Sequence, residues 1–127
     1  MQHIQVAVGV IVDNDRVLLA KRPEHLHQGN KWEFPGGKIE SGESAFDALV
    51  REWREEMGVI VREAEYLFAF NHRYQDRQVA LDVWRVIHFD GHPEALEGQV
   101  LRWVDTRTLK SLSFLEGNRQ LLRRLSV

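Results

Sequence analysis

The chain has 127 residues, 43% of them apolar and 28% charged, which suits one domain with a real core and leaves too little for two. A formal net charge of −2 at pH 7 gives no electrostatic case for duplex nucleic acid or an anionic membrane surface. Cysteine is absent, which excludes disulfides, zinc–thiolate sites and thiol nucleophiles.

Residues 3–12 set Ile4, Val6, Val8, Val10 and Val12 against Gln5, Ala7, Gly9 and Ile11. The period of two predicts a strand with one β-branched face for a core and one face of small groups. The small side, at Ala7 and Gly9, serves either close packing or room for a ligand. Asp13-Asn14-Asp15 marks a turn, and Val17-Leu18-Leu19-Ala20 predicts a second strand. A polar loop follows over 23–31, and a short extended piece, Trp32-Glu33-Phe34, ends at Pro35-Gly36-Gly37.

A helix comes next. Ser44 with Asp47 three residues on reads as a capping box, and Gly58 is placed to end the helix in a left-handed cap. At 3.6 residues per turn, Phe46, Val50, Trp53 and Met57 fall in one stripe about 60° wide. Glu52, Glu55 and Glu56 occupy a separate arc of about 100°, with Ala45 and Ala48 as its only other residues. Strands are expected at 59–61, 66–70, through Val79, Leu81, Val83, Trp84, Val86 and Ile87, and over 100–104. The segment 115–125 reads as a closing helix with Leu121, Leu122 and Leu125 on one side. Strands on either side of a central helix predict an α/β fold, a mixed β-sheet sandwiched between helices.

Gly37, Glu43, Arg51, Glu52, Glu55, Glu56 and Gly58 together read G-x5-E-x7-R-E-x2-E-E-x-G. A lone E-x-x-E-E is most often a solvated face. Seven fixed identities are different, since chance agreement is roughly one in 10^8 per starting position. Glutamates three and four apart project together and repel, unless solvent or a cation compensates.

Residues 37–59 resemble the box of the Nudix hydrolase family, matching at every charged and glycine position; Trp53 stands where the family usually carries an aliphatic residue. The resemblance covers essentially all of 1–127 and implies a single domain of the Nudix fold, hydrolysing nucleoside diphosphates linked to another group. It further implies that Glu52, Glu55 and Glu56 bind a divalent cation, Mg²⁺ with Mn²⁺ able to substitute. The Gly36 carbonyl would be a further ligand, and Glu97 an additional acid for metal or base duty, or else a solvated loop residue. Gly37, Glu43, Arg51 and Gly58 are then structural. Trp53 lies on the packing face and is expected to be a core adjustment without effect on the chemistry.

The flanks Gln5-Val6-Ala7-Val8-Gly9, Lys21-Arg22 and Asn30 to Lys38 resemble the MutT-type branch, which acts on oxidised purine nucleoside triphosphates such as 8-oxo-dGTP. That likeness assigns Arg22 and His27 to phosphate or sugar, and Glu33, Phe34, Pro35 and Gly36 to the nucleotide pocket, with Phe34 able to pack on a ring. Asp76-Arg77 matches a mobile-loop pair, while Asp82 and Arg85 stand where that branch more often has apolar residues. Asn118 has two readings: an amide that reads a purine edge, or the N-cap of the last helix. Two competing functions remain, a cytidine or oxidised-pyrimidine triphosphate pyrophosphohydrolase and a non-catalytic nucleotide-binding module. A cytoplasmic monomer with a nucleoside triphosphate substrate, and without nucleic-acid or membrane partners, is expected.

Overall fold

A computed structural model describes residues 1–26 and 28–125. The N-terminal alternation becomes strand β1 (Gln2–Val10), and it buries both faces. Val8 and Val10 enter one core with Phe34, Leu81, Val83 and Leu121, whereas Ala7 shares a second with Leu49, Trp53 and Val86. Of the two readings of the small face, close packing holds at Gly9. A Cβ there would lie 2.6 Å from Cζ2 of Trp53, which is fully buried.

Asn14 and Asp15 take φ of 51° and 62°, the left-handed pair that a tight two-residue hairpin demands. The hairpin joins β2 (Val12–Asp13) to β3 (Arg16–Lys21). Two short strands follow, β4 (Trp32–Glu33) and β5 (Gly36–Lys38), and then helix α1 (Ala45–Met57). Ser44 Oγ accepts from the Asp47 N–H at 3.0 Å, and Gly58, at φ 72°, sends its N–H to the Arg54 carbonyl. Both ends of α1 thus lie where the sequence puts them. Its packing face is broader than the predicted stripe, because Ala48 and Leu49 are fully buried too.

The segments expected as strands at 59–61 and 66–70 are one strand, β6 (Ile60–Arg73), paired antiparallel with β7 (Arg77–Asp90). Register shifts between Val61 and Glu63, Glu63 and Ala64, and Tyr66 and Phe68 break its alternation, which hid its continuity. Strand β8 (Val100–Asp105) leads into a 3-10 turn, Thr106–Ser111, where the Arg107 N–H donates to the Asp105 carboxylate and the Thr106 N–H to the Asp15 carbonyl. Helix α2 (Glu116–Arg124) closes the fold with Leu115 at its N-cap, so the N-cap reading of Asn118 is corrected: Asn118 lies inside the helix.

One sheet runs β5-β1-β7-β6, with β1 parallel to β7 and the other pairs antiparallel. In the other, β3 pairs antiparallel with β2, β4 and β8. Residues of α1 fill one core and Leu121 of α2 the other, so the first sheet is covered on both faces. This is the mixed-sheet α/β arrangement expected. Among the described residues no helix is long and apolar enough to cross a membrane.

Candidate active site

The site begins with an arginine. Arg51 on α1 donates from Nε to Glu43 Oε2 at 2.7 Å and from Nη2 to Glu43 Oε1 at 3.0 Å, the two-pronged geometry a guanidinium favours. It also reaches the Lys38 carbonyl at 2.8 Å, so the loop between β5 and α1 is fastened to the helix. The pair holds the Glu43 carboxyl down at about 2, through the Arg51 hydrogen bonds first and the Glu40 backbone N–H second. From Nη1, Arg51 touches Glu52 Oε1 at 2.9 Å and Glu55 Oε2 at 3.3 Å. One cation therefore sits among the repelling carboxylates of the helix.

Glu52 and Glu56 face a cavity of about 210 Å³ that also takes in Arg22, Glu33, Gly36, Glu97 and Gln99. Gly37 makes the space for Glu52, since a Cβ at 37 would collide with its carboxylate. Glu56 Oε1 is buried and has no hydrogen-bond partner among the described residues. Burial pushes the Glu56 carboxyl up to about 9, helped by Glu52, Glu33 and Glu97. Burial also raises Glu33, against the pull of Arg22 at 3.6 Å. Glu55 behaves differently. It is exposed, lines a shallow groove with Asp47, Val50 and Arg54, and does not line the carboxylate cavity.

Among the described residues no three carboxylates or imidazoles stand close enough to hold a metal ion as they are. Glu52 and Glu55 are paired with Arg51 instead. The donor chemistry nevertheless fits a hard divalent cation. An unpartnered buried carboxylate oxygen on Glu56, the Glu52 and Glu97 carboxylates and the Gly36 backbone border one small cavity.

A second cavity of about 380 Å³ adjoins the first, sharing Arg22, Glu33 and Gly36 with it. Its walls are Ile4, Val6, Val8, Val79 and Leu81, with Phe34, Tyr74, Arg77 and Asn118 around them. Asn118 is buried and its Oδ1 accepts from the Phe34 N–H at 2.9 Å, which leaves the amide NH₂ as its donor toward the cavity. Phe34 borders this cavity. The residue is 2% exposed, and its ring is stacked on Phe114 at 5.9 Å, so it is packed into the core beside the cavity. Asp82 and Arg85 are absent from this wall, which Val79 and Leu81 supply from β7, and Arg85 pairs with Glu65. Pro35 is fully buried and lines neither cavity, and His27 lies outside the described residues.

A NUDIX domain family model matches residues 7–124. The chain belongs to the Nudix family. It is 34% identical over 126 residues to a protein of Escherichia coli (strain K12) named 8-oxo-dGTP diphosphatase, covering 98% of each. To the CTP pyrophosphohydrolase of the same organism it is 40% identical over 103 residues, 81% of this chain and 76% of that one. A solved structure from work on MutT of Aliivibrio salmonicida and Vibrio cholerae is similar to it with a TM-score of 0.82 at 35% identity, over 97% of this chain and 96% of that one. This Nudix hydrolase is a nucleotide pyrophosphohydrolase, of a family that generally needs divalent metal ions.

Two residues of the Nudix site escape the sequence reading. Gln99 donates to the Glu56 carbonyl at 3.0 Å and accepts from the Glu97 N–H at 2.8 Å, tying the Glu97 loop to the end of α1. Nothing in the sequence around Gln99 signals that bond. Tyr74 accepts from the Gly117 N–H at 3.0 Å and lies under Arg77, 5.3 Å from guanidinium to ring. An aromatic in the otherwise polar stretch 71–78 was the one available signal.

Proposed function

We propose that this Nudix hydrolase converts 8-oxo-dGTP to 8-oxo-dGMP and pyrophosphate with Mg²⁺, Mn²⁺ able to substitute, and so removes an oxidised purine from the nucleotide pool. The observation that carries the reading is the pair of adjoining cavities, one apolar with an amide donor and one acidic, meeting at Arg22, Glu33 and Gly36. A base fits the first and a polyphosphate the second, and the Asn118 NH₂ suits the carbonyl acceptor of a guanine-like edge. The relative named 8-oxo-dGTP diphosphatase, similar over almost the full length, supports the choice.

Water adds across the anhydride between the α- and β-phosphorus atoms, and the monophosphate and pyrophosphate separate. Bound Mg²⁺ supplies charge neutralisation at the phosphates and lowers the pKa of a water. Glu52, Glu56 and Gly36 hold the cation in this reading, with Glu55 turning in from Arg51. Glu97 and Glu52 are the carboxylates placed to take the proton of the attacking water, and Arg22 leaves Glu33 for a phosphate oxygen. Charge stabilisation and positioning suffice, and no covalent intermediate is required. The substrate is a free nucleotide and the acting species a monomer.

A second reading, a CTP or oxidised-pyrimidine triphosphate pyrophosphohydrolase, is favoured by the 40% identity to the CTP enzyme. Measuring kcat/KM for 8-oxo-dGTP, dGTP, dCTP, CTP and an oxidised pyrimidine triphosphate, with Mg²⁺ and with chelator, separates them. The expected result is highest efficiency on 8-oxo-dGTP, release of pyrophosphate, and no turnover in chelator. A preference for the cytidine nucleotides would install the second reading, and no pyrophosphate from any of them would make the protein a binding module.

A further inference from the structure

Trp53 does more than fill the core. Its indole Nε1 donates to the Pro35 carbonyl at 2.9 Å, and the Gly9 N–H donates to the same oxygen at 2.9 Å. Pro35 is followed directly by Gly36, which lines both cavities. The peptide that presents the Gly36 backbone to the carboxylates is thus held from two sides, by β1 and by α1. The ring itself has no freedom. It is fully buried, lies against Gly9 and meets Phe89 edge-on at 6.1 Å. On α1 it is one residue after Glu52 and three before Glu56, so one helix sets the register of the carboxylates and of the backbone opposite them. An aliphatic residue at 53 would still pack in this core but would donate nothing to the Pro35 carbonyl.

We propose that Trp53 is a positioning residue, whose N–H to the Pro35 carbonyl fixes the Gly36 backbone at the distance from Glu52 and Glu56 that a divalent cation needs. The proposal runs against the expectation that Trp53 leaves the chemistry untouched, and it rests on the metal-assisted reading above. Groups that orient direct ligands are worth about 10–100-fold in metal affinity, and loss of this bond belongs at the low end because the Gly9 N–H remains.

The test is Mn²⁺ affinity, measured by electron paramagnetic resonance on the full chain without nucleotide. Four variants accompany the wild type. Trp53→Phe removes the N–H and part of the ring, while benzothienylalanine at position 53 keeps the indole shape and removes only the N–H. Met57→Ala damages the same core without touching the Pro35 carbonyl, and Glu56→Gln removes a proposed ligand. The expected result is binding weakened about tenfold in both position-53 variants and unchanged in Met57→Ala, with Mg²⁺ for half-maximal turnover raised in parallel and kcat at saturating Mg²⁺ nearly kept. Wild-type affinity with benzothienylalanine, whatever Trp53→Phe does, would overturn the proposal, as would equal weakening in Met57→Ala. Glu56→Gln tells that failure apart from the failure of the functional reading: wild-type Mn²⁺ affinity in that variant would remove the metal site itself.

Discussion

Asn118 divides its amide between folding and recognition. The oxygen is committed to the Phe34 N–H, and the NH₂ borders the apolar cavity. Asn118→Ala is therefore expected to act twice. It strands a buried N–H, at a cost of about 1–3 kcal/mol read as a lower midpoint of chemical unfolding. It also removes an amide that offers the base an NH₂ donor and the second lone pair of Oδ1; an 8-oxopurine carries an N7–H to fill that lone pair and guanine does not, so KM should rise much more for 8-oxo-dGTP than for dGTP. Equal rises for both would leave Asn118 with the folding role alone. Arg51 shows the same economy on the acidic side. Its hold on Glu43 builds the loop, while its hold on Glu52 and Glu55 keeps repelling carboxylates together.

Helix α1 is the element on which the site depends, and it is capped at both ends. Ser44→Ala should cost about 1 kcal/mol by freeing the Asp47 N–H, seen as a lower urea midpoint with KM for nucleotide unchanged. An unchanged midpoint would mean that the Ser44 bond contributes nothing. This helix was also the most legible part of the chain, because its caps, its apolar stripe and its glutamates are all local signals of sequence. The continuity of β6 was not legible. Bulges shift the side chains from one face to the other, and no pattern of period two survives them. The 3-10 turn at Thr106–Ser111 and the bond from the Phe34 N–H to Asn118 escaped for a related reason. Each depends on tertiary contact, through Leu109 in the core and through Phe34, 84 residues away in sequence. In the site, motif spacing located Glu52 and Glu56 but not the diversion of Glu55 to Arg51. That diversion is a matter of rotamer, below the resolution of helical geometry.

At the scale of the molecule, the acidic cavity sets how stability responds to pH. Glu56 has an ordinary value of 4.5 and is raised to about 9 in the fold, and Glu33 is raised as well. Between those values the folded chain retains a proton at Glu56 that the unfolded chain has lost, so stability falls as pH rises through that window. Glu43 and Asp105, both lowered to about 2, act in the opposite sense but are fully ionised in either state above pH 5–6, where their contribution is constant. Chelator-treated protein is therefore expected to lose thermal stability steadily from pH 6 to 9. Added Mg²⁺ should restore more of it at the alkaline end, where cation no longer competes with proton. A flat melting profile over that range would contradict the burial of Glu56.

The fit of the indole against Gly9 makes the two positions a matched pair. A Cβ at position 9 would overlap the ring, so on this backbone an exchange at 9 is tolerated only together with a smaller residue at 53.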